Sequence, residues 1–425
     1  MSSNDSKKIA ILGGNPETGA LVQVANSMGL HAVVLDPYSH SPAKQHAATS
    51  HDIDVTDLDA VDKVIRDEGV AGVLVGVADP LVPFYQKICA RNKLHCYATE
   101  TIIQALTSKT SFAQTCIDHD VAVIPFFDVN VSCPDDIKRL DYPVVVKPVD
   151  AGAGVGISLC RNLAEFQVGV DKALAVSIRK ELRVEKFMQC DDMFVYYTFV
   201  DGVAHLSALA DRHKTDKQGQ LSTVCIAAEY PSRYAHRFVQ EVHPKLVKMF
   251  QALGIQNGVL LIQFFVDEKD FYAYDPGFRL QGEAPHLYLK HINHFDHREM
   301  LLRFAMTGHM CSGDFSDVND PDFKGQSATT VWVLLKAGRL GFIRGLEAIR
   351  SHTNVIEVLQ RFDIGDQVTA DMLGTERQVF ARIYTTAETP VEAQRVLRFI
   401  NDTLLVADEL GADMLLDRYN KEKAS

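Results

Sequence analysis

The sequence predicts a multidomain protein that combines an α/β unit with α+β units, and three features of the chain support this prediction. Its 425 residues exceed the usual size of a single domain. In the first third, short apolar strands alternate with amphipathic helices, which is typical of a doubly wound parallel sheet. The later segments combine several strands with single helices, which indicates α+β units.

The composition is that of a globular protein. Hydrophobic residues make up 47% and charged residues 23%, a balance that argues against disorder. The formal net charge of −12 argues against a dedicated nucleic-acid binder, which would carry a basic face. The sequence has no bilayer-length apolar run, no signal-peptide core and no paired cysteine spacing. We therefore expect a cytoplasmic protein without nucleic-acid or membrane partners.

The N-terminal unit begins with a strand at Ile9–Leu12, a glycine turn and a helix that Pro16 can start. A second strand ends at Asp36, where a dinucleotide-binding protein would place its ribose-binding acid. The turn lacks the complete G-x-G-x-x-G pattern, however. An ordinary strand–helix turn is therefore the preferred interpretation.

Two lysines and a glycine-rich run predict a phosphate site. Lys147 ends an apolar strand, and the following run contains Gly152, Gly154 and Gly156, whose backbone N–H groups could approach an anion closely. Lys109 opens a predicted helix, where a cation opposes the helix dipole unless an anion lies nearby. The alternative for the glycine run is an ordinary hairpin beside a solvated lysine.

The strand around Glu185 and Phe187 predicts a nucleotide hinge. Its extended backbone offers donors and acceptors to an adenine edge, and Asp192 beyond the turn could accept from the ribose hydroxyls.

The strand that ends at Asp275 predicts a metal site, because Mg²⁺ prefers carboxylate oxygens beside substrate phosphates. Arg279 could stabilise a transferred phosphoryl group or a tetrahedral oxyanion. The position twelve residues before Asp275, where an acid would complete a two-carboxylate clamp, is Gln263.

Together these segments resemble the ATP-grasp superfamily, especially its branch of biotin carboxylase, the carbamoyl phosphate synthetase large chain and carboxylate–amine ligases. The resemblance covers nearly the whole chain. It implies an ATP-grasp fold with a Rossmann-like pre-ATP-grasp domain at 1–106 and an ATP-grasp domain at 107–325. A lid subdomain is expected at about 143–200, and a small α+β domain at 326–425.

The resemblance also implies roles for the candidate residues. Lys109 and Lys147 would hold the phosphates of ATP, and Gly152, Gly154 and Gly156 would form a lid. Glu185 and the backbone near Phe187 would meet the adenine, and Asp192 would meet the ribose. Mg²⁺, or Mn²⁺ in its place, would bind Asp275, with Gln263 and Glu283 as further ligands. Asp275 and Arg279 would act in catalysis. Members of the superfamily usually have Glu at the positions of Gln263 and Asp275 and Asn at Gly277, so weaker metal binding is expected.

Two further segments leave alternatives open. The cluster His286, His291, His294 and His297 could bind zinc, but surface or pocket histidines are preferred. The polar segment 210–231 is predicted to be mobile, and its charged residues could contact substrate or only solvent.

The predicted function is an ATP-dependent ligase that activates a small carboxylate as an acyl-phosphate and joins it to an amine or another nucleophile. Its partners would be these small molecules, and a homodimer is one expected assembly. The alternative is a nucleotide-binding protein with a degenerate metal site and a regulatory role.

Overall fold

The structure is a computed structural model that describes residues 7–131, 133–149, 155–215 and 224–420. Helices and sheets both occur throughout these ranges, which confirms the predicted mixture of α/β and α+β units. Within them, no helix has the length and apolar character needed to cross a membrane.

The N-terminal unit is a four-stranded parallel sheet in the order β3-β2-β1-β4, covered by helices. As predicted, Pro16 is the first residue of a helix, and the Asn15 side chain caps it by accepting from the Thr18 N–H. The elements are β1 (Lys8–Leu12), α1 (Pro16–Ser27), β2 (His31–Asp36), β3 (Thr49–Asp52), α2 (Leu58–Glu68), β4 (Val70–Val75) and α3 (Val82–Asn92).

The glycine turn of this unit has a packing explanation. A Cβ atom on Gly14 would lie 2.4 Å from the Ser41 Oγ and 2.6 Å from the Asp36 Cγ, so only glycine fits there. This close approach supports the ordinary strand–helix turn over a dinucleotide site.

A small antiparallel sheet, which we call the lid sheet, follows two linking helices and has the order β5-β8-β6-β7. It has its own hydrophobic core, in which Phe166 is fully buried. The elements are α4 (Glu100–Leu106), α5 (Lys109–Ile117), β5 (Phe126–Phe127), α6 (Pro134–Lys138), β6 (Val144–Pro148), β7 (Ser158–Cys160), α7 (Leu163–Val176) and β8 (Leu182–Lys186).

The largest sheet has eight strands in the order β13-β12-β9-β10-β11-β14-β18-β16. Its elements are β9 (Asp191–Val200), β10 (Val203–Lys214), β11 (Cys225–Tyr230), α8 (Ala235–Glu241), α9 (His243–Ala252), β12 (Gly258–Val266), β13 (Phe271–Gly277), α10 (His286–Tyr288), α11 (His297–Thr307), β14 (Ser327–Leu334), β16 (Val355–Gln360) and β18 (Val379–Ala387).

This sheet corrects two expectations. Because β9 belongs to it, the lid sheet ends at Lys186, whereas the lid subdomain was predicted to reach about residue 200. Most of the described part of 210–231 is paired strand, so the prediction of a mobile segment is wrong for it. Strands β10 and β11 pair with each other, and both contain continuous runs of buried residues. The domain boundaries at 106/107 and 325/326 stay predictions, and β14 continues the large sheet beyond the second of them.

The C-terminal part adds a three-stranded sheet in the order β17-β15-β19 and two helices. These elements are β15 (Gly338–Arg344), α12 (Leu346–Arg350), β17 (Gln367–Val368), α13 (Pro390–Thr403) and β19 (Leu405–Asp408).

Candidate active site

The lid sheet presents a buried ion-pair chain around the predicted phosphate lysine. The Lys147 Nζ lies 2.7 Å from Glu185 Oε2, and the Arg183 Nε lies 3.0 Å from Glu185 Oε1. Arg183 also lies over the Phe126 ring, 4.1 Å from its centroid. Glu185 was predicted to meet adenine, but here both of its oxygens engage cations. It therefore orients Lys147.

The charge of Lys147 is sensitive to its surroundings. Burial lowers the pKa of Lys147, Glu185 counteracts this shift, and the positive charge of Lys109 lowers the pKa further. An anion placed beside the two lysines would relieve their repulsion. The geometry therefore suits a phosphate, as the sequence predicted.

Lys109 and Asp275 lie together although 166 residues separate them in the chain. The Lys109 Nζ is 3.8 Å from the Asp275 Oδ1, and both side chains are partly exposed. Helix α5, which Lys109 opens, packs on β13, which carries Asp275. We call the region of Lys109, Lys147, Glu185, Asp192 and Asp275 the nucleotide cleft.

The glycine run and the hinge are only partly described. Gly156 has φ +79°, a conformation that favours glycine. Gly152 and Gly154 lie outside the described residues. At the hinge, the Phe187 N–H donates to the Pro143 carbonyl and the Lys186 N–H to the Pro125 carbonyl. The backbone is thereby fixed at the predicted adenine edge, but the Phe187 N–H itself is already used.

Asp192 is buried and holds two cations. Its Oδ2 lies 2.9 Å from Arg212 Nη1 and 2.7 Å from Lys214 Nζ, and its Oδ1 accepts from the Tyr274 hydroxyl at 2.9 Å. Burial alone would raise the pKa of Asp192, but Lys214 and Arg212 outweigh burial and keep it below its ordinary value. Asp192 therefore anchors a cationic group, a different task from the predicted ribose contact. The signal in the sequence was the pair of cations at 212 and 214, on one face of a strand.

The predicted metal ligands are not brought together as a set. Gln263 and Asp275 are direct partners across β12 and β13, but the Gln263 carbonyl accepts from the Tyr274 hydroxyl at 2.8 Å. The negative charge of Glu283 instead raises the pKa of Arg279 and of Arg382. Within the described residues, no three His, Cys, Asp or Glu side chains could jointly hold a metal ion. The residues thus fit a metal that takes one carboxylate, from Asp275, and its other ligands from phosphates and water.

Arg279 joins the large sheet to the N-terminal unit. Its Nη2 lies 2.5 Å from the Asp79 Oδ2, and its Nη1 donates to the Leu280 carbonyl at 2.7 Å. Burial would lower the pKa of Arg279, but Asp79 raises it above its ordinary value, so the guanidinium stays charged. At Gly277, where the superfamily usually has Asn, the backbone carbonyl accepts a hydrogen bond from the Gln281 side chain at 2.8 Å.

A second group of arginines was not predicted from the sequence. Arg382 lies in the middle of buried strand β18 and pairs with Glu17 at 3.4 Å and with Glu376 at 3.0 Å. Arg361 also pairs with Glu17. A buried arginine in an apolar strand is rare unless it is paired, so the run Val-Phe-Ala-Arg-Ile was a usable signal. We call Arg279, Arg361 and Arg382 with their carboxylates the arginine cluster.

The histidines that suggested a zinc site are dispersed. His286 and His297 are buried, whereas His291 and His294 are exposed. The His297 Nε2 lies 2.7 Å from the Thr198 Oγ1, which indicates a structural role for this histidine.

Parts of the chain are similar to known protein families. The family model described as the D-ala D-ala ligase C-terminus matches residues 128–274. Formate-dependent phosphoribosylglycinamide formyltransferase of Wolinella succinogenes is 26% identical over 281 residues, which are 63% of this chain and 68% of that protein.

Two solved structures share the fold. L-amino acid ligase from Bacillus licheniformis superposes with a TM-score of 0.78 at 18% identity and covers 95% of this chain and 99% of its own. The biotin carboxylase domain dimer of Hydrogenobacter thermophilus 2-oxoglutarate carboxylase has a TM-score of 0.73 at 14% identity, and the match covers 94% of this chain and 91% of that one. It was solved with MgADP, ADP and bicarbonate.

The superposed structures show that the chain has the fold predicted from the sequence, the ATP-grasp fold, and residues 128–274 match the family model of the D-ala D-ala ligase C-terminus. The matching family model is that of a ligase, and this similarity supports the predicted enzyme class, an ATP-grasp ligase.

Proposed function

We propose that the protein activates a small carboxylate with ATP, forming an acyl-phosphate and ADP, and joins it to an amine with release of phosphate. Mg²⁺ is the proposed metal, and Mn²⁺ is a substitute for it. The observation that carries this proposal is the convergence of Lys109, Lys147 and Asp275 from three separate elements on one cleft.

The proposed roles follow from the contacts. Lys147, oriented by Glu185, and Lys109 hold the nucleotide phosphates. Asp275 holds the metal, which when bound neutralises the phosphate oxygens and polarises the transferred group. Arg279, held by Asp79, stabilises the negative charge that develops on the acyl group.

The arginine cluster is proposed to line the acceptor side of the site, because Arg382 also donates to the Gly282 carbonyl, three residues from Arg279. Positioning and charge stabilisation then carry the reaction, and no protein nucleophile is needed. A homodimer is the proposed assembly, since one relative in this fold class was solved as a dimer.

A second candidate is a nucleotide-binding protein without turnover. The neutral Gln263, already hydrogen-bonded to Tyr274, is the observation that favours it. The two candidates differ in whether ADP forms when a carboxylate is supplied.

The test is ADP formation by the full chain with ATP and Mg²⁺ against pooled amino acids and small carboxylates, beside the variant Arg279→Met. We expect a carboxylate-dependent signal that this variant abolishes while it still binds ADP. ADP binding without any stimulated turnover would favour the regulatory candidate. The absence of nucleotide binding would overturn both.

A further inference from the structure

A bulge in the large sheet brings two side chains to Gln263. The pairing of β12 with β13 shifts between Gln263 and Phe264, so Gln263 faces Asp275 while Phe264 faces Ala273. The intervening Tyr274 is the extra residue of this bulge. Its hydroxyl oxygen lies 2.8 Å from the Gln263 Oε1 and 2.9 Å from the Asp192 Oδ1, and its single proton is shared between these two acceptors.

The same Gln263 oxygen lies beside a buried cation. The Arg212 Nη1 is 3.5 Å from the Gln263 Oε1, and only 13% of the Arg212 side chain is exposed. A divalent ion bound to this oxygen would therefore lie close to a guanidinium in a poorly hydrated site, where like charges repel strongly. The second ligand position of a two-carboxylate clamp is thus neutral and also adjacent to a fixed positive charge.

The guanidinium is held in place from several sides. Asp192 pairs with both Arg212 and Lys214, and the rings of Phe194 and Phe265 lie 5.2 Å and 4.8 Å from these two cations. About a quarter of the Lys214 side chain (24%) is exposed, so its ammonium can reach a ligand in the cleft. Asp192 pairs directly with both cations, and Glu376 is a second negative charge that acts on Arg212, so Lys214 is the cation of this group that is placed to meet a ligand.

We propose that the nucleotide cleft uses a single divalent metal ion, on the Asp275 side, and that Arg212 and Lys214 supply the positive charge that a second metal would bring. The inference rests on the proposed nucleotide site. It makes Lys214 a phosphate-binding residue and Asp192 the residue that positions it. The positive charge of the partly exposed Lys214 acts on the phosphates before the metal arrives, so ADP binding should depend only weakly on the metal.

The first experiment counts Mn²⁺ bound to the full chain at saturating ADP, by electron paramagnetic resonance. We expect one Mn²⁺ per chain, and two would overturn the proposal. The double variant Gln263→Glu/Arg212→Leu, which restores a carboxylate and removes the guanidinium, should bind two. Circular dichroism would show whether this variant folds. If it folds and still binds only one Mn²⁺, Arg212 is not what excludes a second metal ion.

The second experiment measures ADP affinity by calorimetry with excess chelator and then with Mg²⁺. We expect the two dissociation constants to agree within about tenfold, and Lys214→Met to weaken the metal-free binding by about tenfold. The matched control is Lys248→Met, since Lys248 is an exposed lysine on α9. ADP binding that needs Mg²⁺ absolutely, or that is unchanged in Lys214→Met, would contradict the inference. If ADP does not bind under either condition, the proposed function itself fails.

Discussion

The nucleotide cleft and the arginine cluster are both built from buried or half-buried charges, yet their balance of charge is opposite. In and around the cleft, five cations face three carboxylates: Lys109, Lys147, Arg183, Arg212 and Lys214 against Glu185, Asp192 and Asp275. In the arginine cluster, three arginines face four carboxylates: Arg279, Arg361 and Arg382 against Glu17, Asp79, Glu283 and Glu376.

This difference indicates what each region receives. A surplus of cations suits a polyanion such as a nucleotide, whereas arginines already matched by carboxylates do not attract a second one. We expect the part of the arginine cluster around Arg361 and Arg382 to accept a group that brings positive charge, in agreement with an amine substrate, whereas Arg279 acts on the acyl group. Substitutions in one region should therefore leave the ligand of the other largely unaffected.

The largest effect is expected from Lys147→Ala. Removing this ammonium should weaken ADP binding about 100-fold, since truncating one partner of a buried charge contact costs about 2–5 kcal/mol. The fold should survive, because Arg183 still pairs with Glu185. Calorimetry measures the affinity, and Lys186→Ala, at an exposed lysine of the same lid sheet, is the control. Equal affinity in Lys147→Ala and the native chain would remove the phosphate assignment.

A substitution in the arginine cluster should lower the free energy of unfolding. Glu17→Gln leaves Arg361 and Arg382 without their shared carboxylate, so the free energy of unfolding should fall by about 3 kcal/mol. Urea denaturation measures this loss, and ADP affinity should stay within about twofold. Asp59→Asn is the matched control, since Asp59 is an exposed acid in the first turn of α2. A large loss of ADP affinity in Glu17→Gln would show that the two regions are not separate.

The two regions should also fail at opposite ends of the pH scale. Because burial lowers the pKa of Lys147, its charge is lost at a lower pH than that of an exposed lysine, and ADP affinity should fall severalfold as pH rises from neutral into the alkaline range. Burial would raise the pKa of Glu17, but Arg361 and Arg382 lower it overall. Its stabilisation is therefore fully present above about pH 4.5 and is lost as pH falls through the depressed value.

The pH dependence of two variants, compared with that of the native chain, tests both expectations. ADP titration between pH 7 and 10 should show a weaker pH dependence in Lys147→Arg, because the guanidinium does not titrate there. Urea unfolding between pH 6 and 3 should lose less stability in Glu17→Gln than in the native chain. Identical pH profiles for the variants and the native chain would contradict the assignment of both charges.

The sequence was sufficient for most of the fold but only for part of the site. Strand and helix patterns placed β1, the start of α1 and the end of β6 to within one or two residues, because local patterns determine such elements. The contact of Lys109 with Asp275 was foreseen only through the resemblance. The pairing of Asp192 with Lys214 depends on the register of β9 against β10, which no local pattern encodes. The same holds for Glu17, whose arginine partners lie more than 340 residues away.

The smallest expected effect sharpens the description of the cleft. Phe126 lies under the Arg183 guanidinium, and Phe126→Leu removes this cation–π contact while keeping an apolar side chain. We expect a loss of about 0.5–1 kcal/mol in unfolding free energy, the usual value for such a contact at a partly exposed site. ADP affinity should fall by no more than about fivefold, because Glu185 still fixes Lys147. A loss as large as that of Lys147→Ala would mean that the ring, rather than the carboxylate, determines where the phosphate lysine lies.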